Sequence, residues 1–205
     1  MNFEPFCVSF SICCPAGEGR LISRANMSNR LPIVISSVSP KILHKSDRNG
    51  VALGIKGDRE LAETFNRFSQ IEGFAGILVE EMVSGLELII GSKVDDQFGP
   101  VILLGIGGTG VEIYRDVSLR MAPLALKDAE NMIRCLKAHR LLIGYRGSEP
   151  IHLSKLTEML MIFSGLVMEL EKWADSIDLN PVICSSTRCV IADARIILRD
   201  PKSPE

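Results

Sequence analysis

Two oxygen-bearing side chains near the carboxyl end, Asn180 in DLNPVIC and Asp193 in VIADARI, sit on runs that alternate like the strands of a hairpin. Alternation can aim both into one cleft. Mg²⁺ asks for little more than one or two carboxylate or amide oxygens, with nucleotide phosphates and water completing its shell. The plainer assignment makes Asp193 a turn or ion-pair partner of Arg195 and Asn180 a turn residue before Pro181, and spacing leaves both open. His44 stands in PKILHKSDRNG beside Lys45, Ser46 and Asp47. A neutral imidazole has a basic nitrogen that can accept a phosphoryl group steadied by nearby cations, whereas an exposed loop histidine is otherwise solvated surface. Arg120, ahead of Met121-Ala122-Pro123, and Arg146, in GYRG, can each fork onto a phosphate oxygen or pair with an acidic neighbour. Glu112 and Asp116 alternate with apolar residues and therefore fall on the polar face of their strand.

The run GIGGTG at 105–110 matches a dinucleotide-binding fingerprint in letters only. That fingerprint needs a helix opening on its last glycine so that amide groups face a pyrophosphate, yet the next residues alternate with period two. Two strands joined by a glycine turn fit better, either as a bare connection or as a loop that lets amides approach a phosphate.

The elements that would position these residues are short. IVISSVS (33–39) and VALGIK (51–56) read as strands joined by the polar loop that carries His44. Asp58 can cap a helix in which Leu61, Ala62, Phe65 and Phe68 recur at helical spacing. GILVEEM (76–82), LELIIGSKV (86–94) and PVILLGI (100–106) are strand candidates. In VEIYRDVSLRM (111–121) the odd positions Val111, Ile113, Val117, Leu119 and Met121 make a half-buried strand. Helices are expected over about 127–139 and 153–172, then an antiparallel pair, SIDLNPVIC and CVIADARIIL. Residues 1–30 show neither period and read as irregular. Strands with mostly hairpin connections and interposed helices give an α+β class with two small lobes.

Composition narrows the partners. With 205 residues, 46% of them hydrophobic, the chain can bury a core of its own. Its 23 basic and 25 acidic side chains leave no broad field for nucleic acid or an anionic membrane. No run reaches the roughly 20 apolar residues that span a bilayer. Six cysteines, Cys7, Cys13, Cys14, Cys135, Cys184 and Cys189, form no pair of CxxC knuckles and fit a reduced, cytoplasmic setting.

Taken in order, SPKILHKSDRNGVALGI, ILVEEMVSGLELIIGSKVDDQFGPVILLGIGGTGVEIYRDVSLRMAPL, LIGYRGSEP, and DLNPV with ADARI are similar to the ATP-grasp subunit of ADP-forming acetyl-CoA synthetases, relatives of succinyl-CoA synthetase, over about residues 31–199. The resemblance implies an ATP-grasp fold of two small lobes with mostly antiparallel sheets, divided as a non-matching segment at 1–30, a first lobe at 31–75 and a second at 76–205. It implies conversion of acyl-CoA, ADP and phosphate to free acid, CoA and ATP, or the reverse, through a phosphohistidine. His44 would be the shuttling histidine with Lys45 beside it, and Asn180 and Asp193 the Mg²⁺ ligands. Glu80, Glu81 and Met82 would form the hinge whose backbone meets adenine. Gly107, Gly108 and Glu112 would line the ATP/ADP cleft. The acyl-CoA chemistry would belong to a CoA-binding α subunit or domain, in a heterotetramer, with neither nucleic acid nor membrane as partner. Two departures stand out: Ser36 occupies the place of a family lysine, and residues 1–30 do not resemble the family's opening segment, so the amino-terminal part is read as truncated or atypical.

Overall fold

The computed structural model describes residues 12–15, 33–38, 50–74, 76–108 and 116–199, the first two stretches, Leu78 and Glu80 by backbone alone. The described chain divides into two compact units between Val83 and Ser84.

In the first unit β-branched runs pair into a sheet ordered β1-β4-β2-β3, with β1 Ile12–Pro15, β2 Ile33–Val38, β3 Val51–Ile55 and β4 Gly76–Glu81. All pairings are antiparallel, and β2 is central, opposing β3 at Ile33↔Ile55 and β4 at Ile35↔Val79. Helix α1, Asp58–Phe68, comes after β3. Its N-cap is Gly57 and Asp58 lies one position inside, a correction to the expected cap; Asp58 and Glu60 there face the positive end of the helix dipole. Leu61 and Phe68 close over Ile55, Ile77 and Val79, with Phe65 and Phe74 packed edge to face at 5.7 Å.

Two expectations change here. Residues 12–15, read as irregular, form a strand whose backbone pairs with Gly76–Val79, and the mixed Cys-Cys-Pro sequence carries no alternation to announce it. The boundary expected at 75/76 falls at 83/84, because β4 is laddered to β2 from Gly76 to Glu81 and therefore belongs with the first sheet.

The second unit is built on β5 Leu86–Asp95, β6 Gly99–Ile106, β7 Val117–Met121, β8 Ala174–Cys184, β9 Cys189–Ile191 and β10 Ala194–Leu198. The sheet order is β10-β8-β5-β6-β7, with β9 also paired to β8, and all pairings are antiparallel. Helices α2 Leu126–Cys135, α3 His139–Leu142 and α4 Leu153–Leu170 complete the unit. Alternation puts Leu88 and Ile90, Ile102 and Leu104, and Ile177 and Leu179 on one face, where Ala129, Met132 and Ile133 of α2 and Leu156, Leu160 and Phe163 of α4 cover them. Each such side chain contributes about 1.5–3 kcal/mol through burial.

Strand β7 reverses its expected sides. Asp116 and Ser118 are 8% and 6% exposed, whereas Val117, Leu119 and Met121 are 44%, 51% and 56% exposed. The register explains this: Ser118 lies opposite fully buried Leu104, so the polar positions take the helix-bearing face. Asp116 is stable there because its two carboxylate oxygens accept the amides of Lys137 and Ala138, each at 2.8 Å, in the turn after α2. Among the described residues no helix is long and apolar enough to cross a membrane.

Candidate metal and nucleotide site

Strand β8 carries the chemistry on the face its apolar residues leave free. Ile177 and Leu179 point into the core, so Asp178 and Asn180 take the opposite face, away from the helices. Across the ladder Asp178 opposes Arg195 and Leu179 opposes Ala194. Asn180 then falls opposite Asp193, and its amide donates to the Asp193 carbonyl at 3.2 Å. Asp193 Oδ1 accepts the amide of Ala194 at 3.0 Å, which orients the carboxylate. On its other side β8 slips one residue against β5, with Leu88 and Ile90 opposing Val182 and Leu179, and this bulge sets the exposed Asn180 apart from the regular pleat.

The structure thus brings Asn180 and Asp193 together and adds Asp178, which the sequence-based selection omitted. Partial burial and then the neighbouring Asp193 carboxylate hold the Asp178 pKa above its ordinary 3.8, and Arg195 pulls it part of the way back. A signal was available, since Asp178 stands two positions before Asn180 on the same alternating run. Gly91 on β5 lies opposite Asp178 across the ladder, where even a methyl group would make only an ordinary contact with Asp178 Oδ1, at 3.9 Å. Two carboxylates and an amide oxygen against one guanidinium leave a hard-oxygen set of the kind that suits Mg²⁺ with further ligands from phosphates and water. Among the described residues no three His, Cys, Asp or Glu side chains cluster as a cage of their own.

The glycine run is tied into the sheet. The Gly107 amide donates to the Glu87 carbonyl at 2.7 Å, so it is committed to β5, and a β-carbon at Gly107 would meet Glu87 backbone and Cβ atoms at 2.9–3.0 Å. Gly108, exposed at φ +87, takes a left-handed turn that glycine allows at little cost. From Val117 the chain runs as a strand, in keeping with the period-two reading.

The remaining described candidates stand on other elements. Arg120 sits opposite fully buried Ile102, on the helix-bearing face, and its Nη1 donates to the Leu119 carbonyl at 2.7 Å, so it does not join the Asn180–Asp193 face. Arg146 occupies a tight loop at φ 50 between left-handed Gly144 and Gly147, its guanidinium carbon 5.3 Å from the Tyr145 ring centroid. Ser148 Oγ accepts the Tyr145 amide at 2.9 Å and donates to its carbonyl at 2.8 Å, which holds the loop closed. Glu80 and Glu81 end β4 opposite Val34 and Ile33, and half-buried Met82 comes just before the division of the chain. His44, Lys45 and Glu112 lie outside the described residues. Sequence reasoning gave no sign of a cavity of about 470 Å³ lined by Gly85, Leu141, Ile151 and Cys184, where Ser186 Oγ donates to Glu149 at 2.7 Å.

A hard-oxygen hairpin on the open face of one antiparallel sheet, in a chain that also holds a second small α+β unit, is the make-up of an ATP-grasp class of protein. The ATP-grasp domain family matches residues 20–198, further toward the amino terminus than the motif resemblance reaches, and the chain belongs to that family. Within it, the chain is homologous to the β subunits of ADP-forming acetate–CoA ligases. It is 38% identical over 175 residues to the β subunit of acetate–CoA ligase (ADP-forming) I of Pyrococcus furiosus, covering 82% of this chain and 75% of that one. It is 39% identical to the 4-hydroxybutyrate–CoA ligase (ADP-forming) of Nitrosopumilus maritimus over 80% of this chain but 25% of the relative, so it spans three quarters of the separate subunit and one quarter of the longer polypeptide. A solved chain of acetyl-coenzyme A synthetase 1 from Ca. Korarchaeum cryptofilum superposes with a TM-score of 0.78 and 38% identity, covering 94% of this chain and 85% of that one. That structure holds coenzyme A and Mg-AMPPCP, its phosphohistidine segment pointing towards the nucleotide-binding site.

Proposed function

We propose that this chain is the nucleotide-binding subunit of an ADP-forming acyl-CoA synthetase, moving a phosphoryl group between a phosphohistidine and ADP. The overall reaction converts acyl-CoA, ADP and phosphate to free acid, CoA and ATP, or runs in reverse. The observation that carries this reading is the opposition of Asn180 to Asp193 on a face shared with Asp178. When bound there, Mg²⁺ offsets negative charge on the nucleotide phosphates. In this reading Asn180 and Asp193 hold the metal. His44 accepts the phosphoryl group on a ring nitrogen and releases it to a terminal oxygen of ADP, with Lys45 beside it. Backbone groups of Glu80 to Met82 meet adenine, and the missing side chains at Gly107 and Gly108 keep the phosphate wall low, with Glu112 nearby. Arg146 reaches the phosphates from its fixed loop, while Arg120 is left out because of the face it occupies. Acyl transfer to CoA belongs to a CoA-binding partner, in keeping with relatives that are separate β subunits or parts of longer chains, and we place the heterotetramer in the cytoplasm.

Turnover with a CoA-binding partner subunit tests the shuttle: His44→Ala abolishes ADP-dependent breakdown of acyl-CoA, and unchanged turnover removes that role. Calorimetric titration with Mg·ATP tests the metal hairpin. Asn180→Ala loses the Mg²⁺-dependent part of the heat while the fold, on an exposed residue, shifts by no more than about 0.5 kcal/mol. Retention of the full heat would sink the assignment. A second reading, a domain that binds nucleotide or partner without turnover, is favoured by Ser36, which stands in β2 where the resemblance expects a phosphate-contacting lysine. Ser36→Lys separates the two, since only a catalytic chain gains turnover from the restored cation.

A further inference from the structure

The hairpin that links Asn180 to Asp193 carries two thiols face to face. Cys184 on β8 is in register with Cys189 on β9, across a loop of four residues, Ser185 to Arg188. The Ser185 amide donates to Arg188 at 2.8 Å on one side of the pair, and the Ala192 amide donates to Pro181 at 3.0 Å further along. Antiparallel pairs alternate between hydrogen-bonded and non-bonded, so Cys184 and Cys189 form a non-bonded pair, in which α-carbons approach to about 4.5 Å. A disulfide spans about 4.4–6.8 Å between α-carbons, and a non-bonded pair falls at the short end of that range.

The surroundings divide the roles. Cys184 is fully buried and forms part of the wall of the 470 Å³ cavity, whereas Cys189 is partly buried. The two side chains hydrogen-bond to each other; Cys184 is held protonated by that bond and by burial, and the same bond lowers the pKa of Cys189. Cys135, at the end of α2, is exposed and provides an internal comparison.

We propose that Cys184 and Cys189 are a thiol–disulfide site, oxidised by a low-molecular-weight disulfide. The Cys189 thiolate attacks one sulfur of the reagent, whose S–S bond breaks; a Cys189 mixed disulfide forms, and the departing thiolate takes up the proton that Cys189 gave. Cys184 then attacks the Cys189 sulfur, the second small thiol leaves with the Cys184 proton, and the cross-strand bridge closes as one reagent disulfide becomes two thiols. The bridge clamps the hairpin between Asn180 and Asp193, and the chemistry stands whether or not the chain binds nucleotide.

The test uses the full chain incubated with glutathione disulfide, alkylated, and cut with trypsin. Cleavage after Arg188 parts the two cysteines, so their peptides stay joined only through the bridge. The expected result is that joined species, released by a reducing agent, together with slower amide exchange over 182–191. In Cys184→Ser, Cys189 retains a glutathione adduct; in Cys189→Ser, buried Cys184 takes none. Recovery of both cysteines alkylated while Cys135 carries glutathione overturns the proposal, as does a Cys184→Ser chain whose Cys189 stays unmodified.

Discussion

The two faces of the six-stranded sheet do different work with the same strands. On the face against α2 and α4, Leu88, Ile90, Ile102, Leu104, Ile177 and Leu179 are nearly or wholly buried. On the other, the intervening positions of β8 hold Asp178 and Asn180, with Asp193 and Arg195 across the ladder, exposed and polar. A strand turns each successive residue to the opposite side, so stability and ligand chemistry are separated by one residue rather than by distance. Substitutions on the covered face should therefore change folding, and those on the open face should change binding and charge.

The largest effect belongs to the covered face. Leu104→Ala removes a fully buried side chain from a contiguous core and should cost about 2–5 kcal/mol, read as a lower denaturant midpoint with an unchanged slope. A loss below about 1 kcal/mol would mean that the face is loosely packed and would break the comparison. A smaller effect tests the polar residue on the same face. Asp116→Asn keeps the shape but turns an NH₂ toward one of the two backbone amides, of Lys137 and Ala138, that now donate to the carboxylate. The expected cost is about 1–3 kcal/mol, from one buried acceptor exchanged for a donor.

Legibility in the sequence tracked periodicity. Strands β2 to β6 and β8, and helix α4, are announced by β-branched alternation or by an apolar stripe, and the observed bounds differ from expectation by a residue or two. That Asn180 and Asp193 share a hairpin was legible as well, but spacing left open whether they share a cleft, because alternation fixes a face and not the cross-strand register. Three features were not. Strand β1 holds its place through backbone pairing to β4, which leaves no side-chain pattern. The sides of β7 were misassigned because hydropathy gives the period of a strand but not which face the sheet covers; there Asp116 was drawn inward by two donors contributed 21 and 22 residues later. Arg120 was grouped with the phosphate contacts for its charge, and only the register of β7 against Ile102 shows the face it takes.

The smallest prediction is also the sharpest for the comparison, since it applies the same substitution as at Asp116 and expects the opposite sign. In the folded chain Asp178 has a pKa above 3.8, raised first by partial burial and then by Asp193, with Arg195 opposing. In strong acid both folded and unfolded chains carry the proton, and the group is neutral to stability. As pH rises past 3.8 the unfolded chain releases its proton first, which draws the equilibrium toward unfolding until the folded group has ionised as well. At neutral pH the native state bears the whole repulsion. Asp178→Asn should therefore leave the melting temperature unchanged in strong acid and raise it modestly near neutrality, in metal-free buffer at low salt. A fall at neutral pH would mean that the attraction of Arg195 outweighs both burial and Asp193, and the open face would then be a balanced surface with no standing demand for a cation.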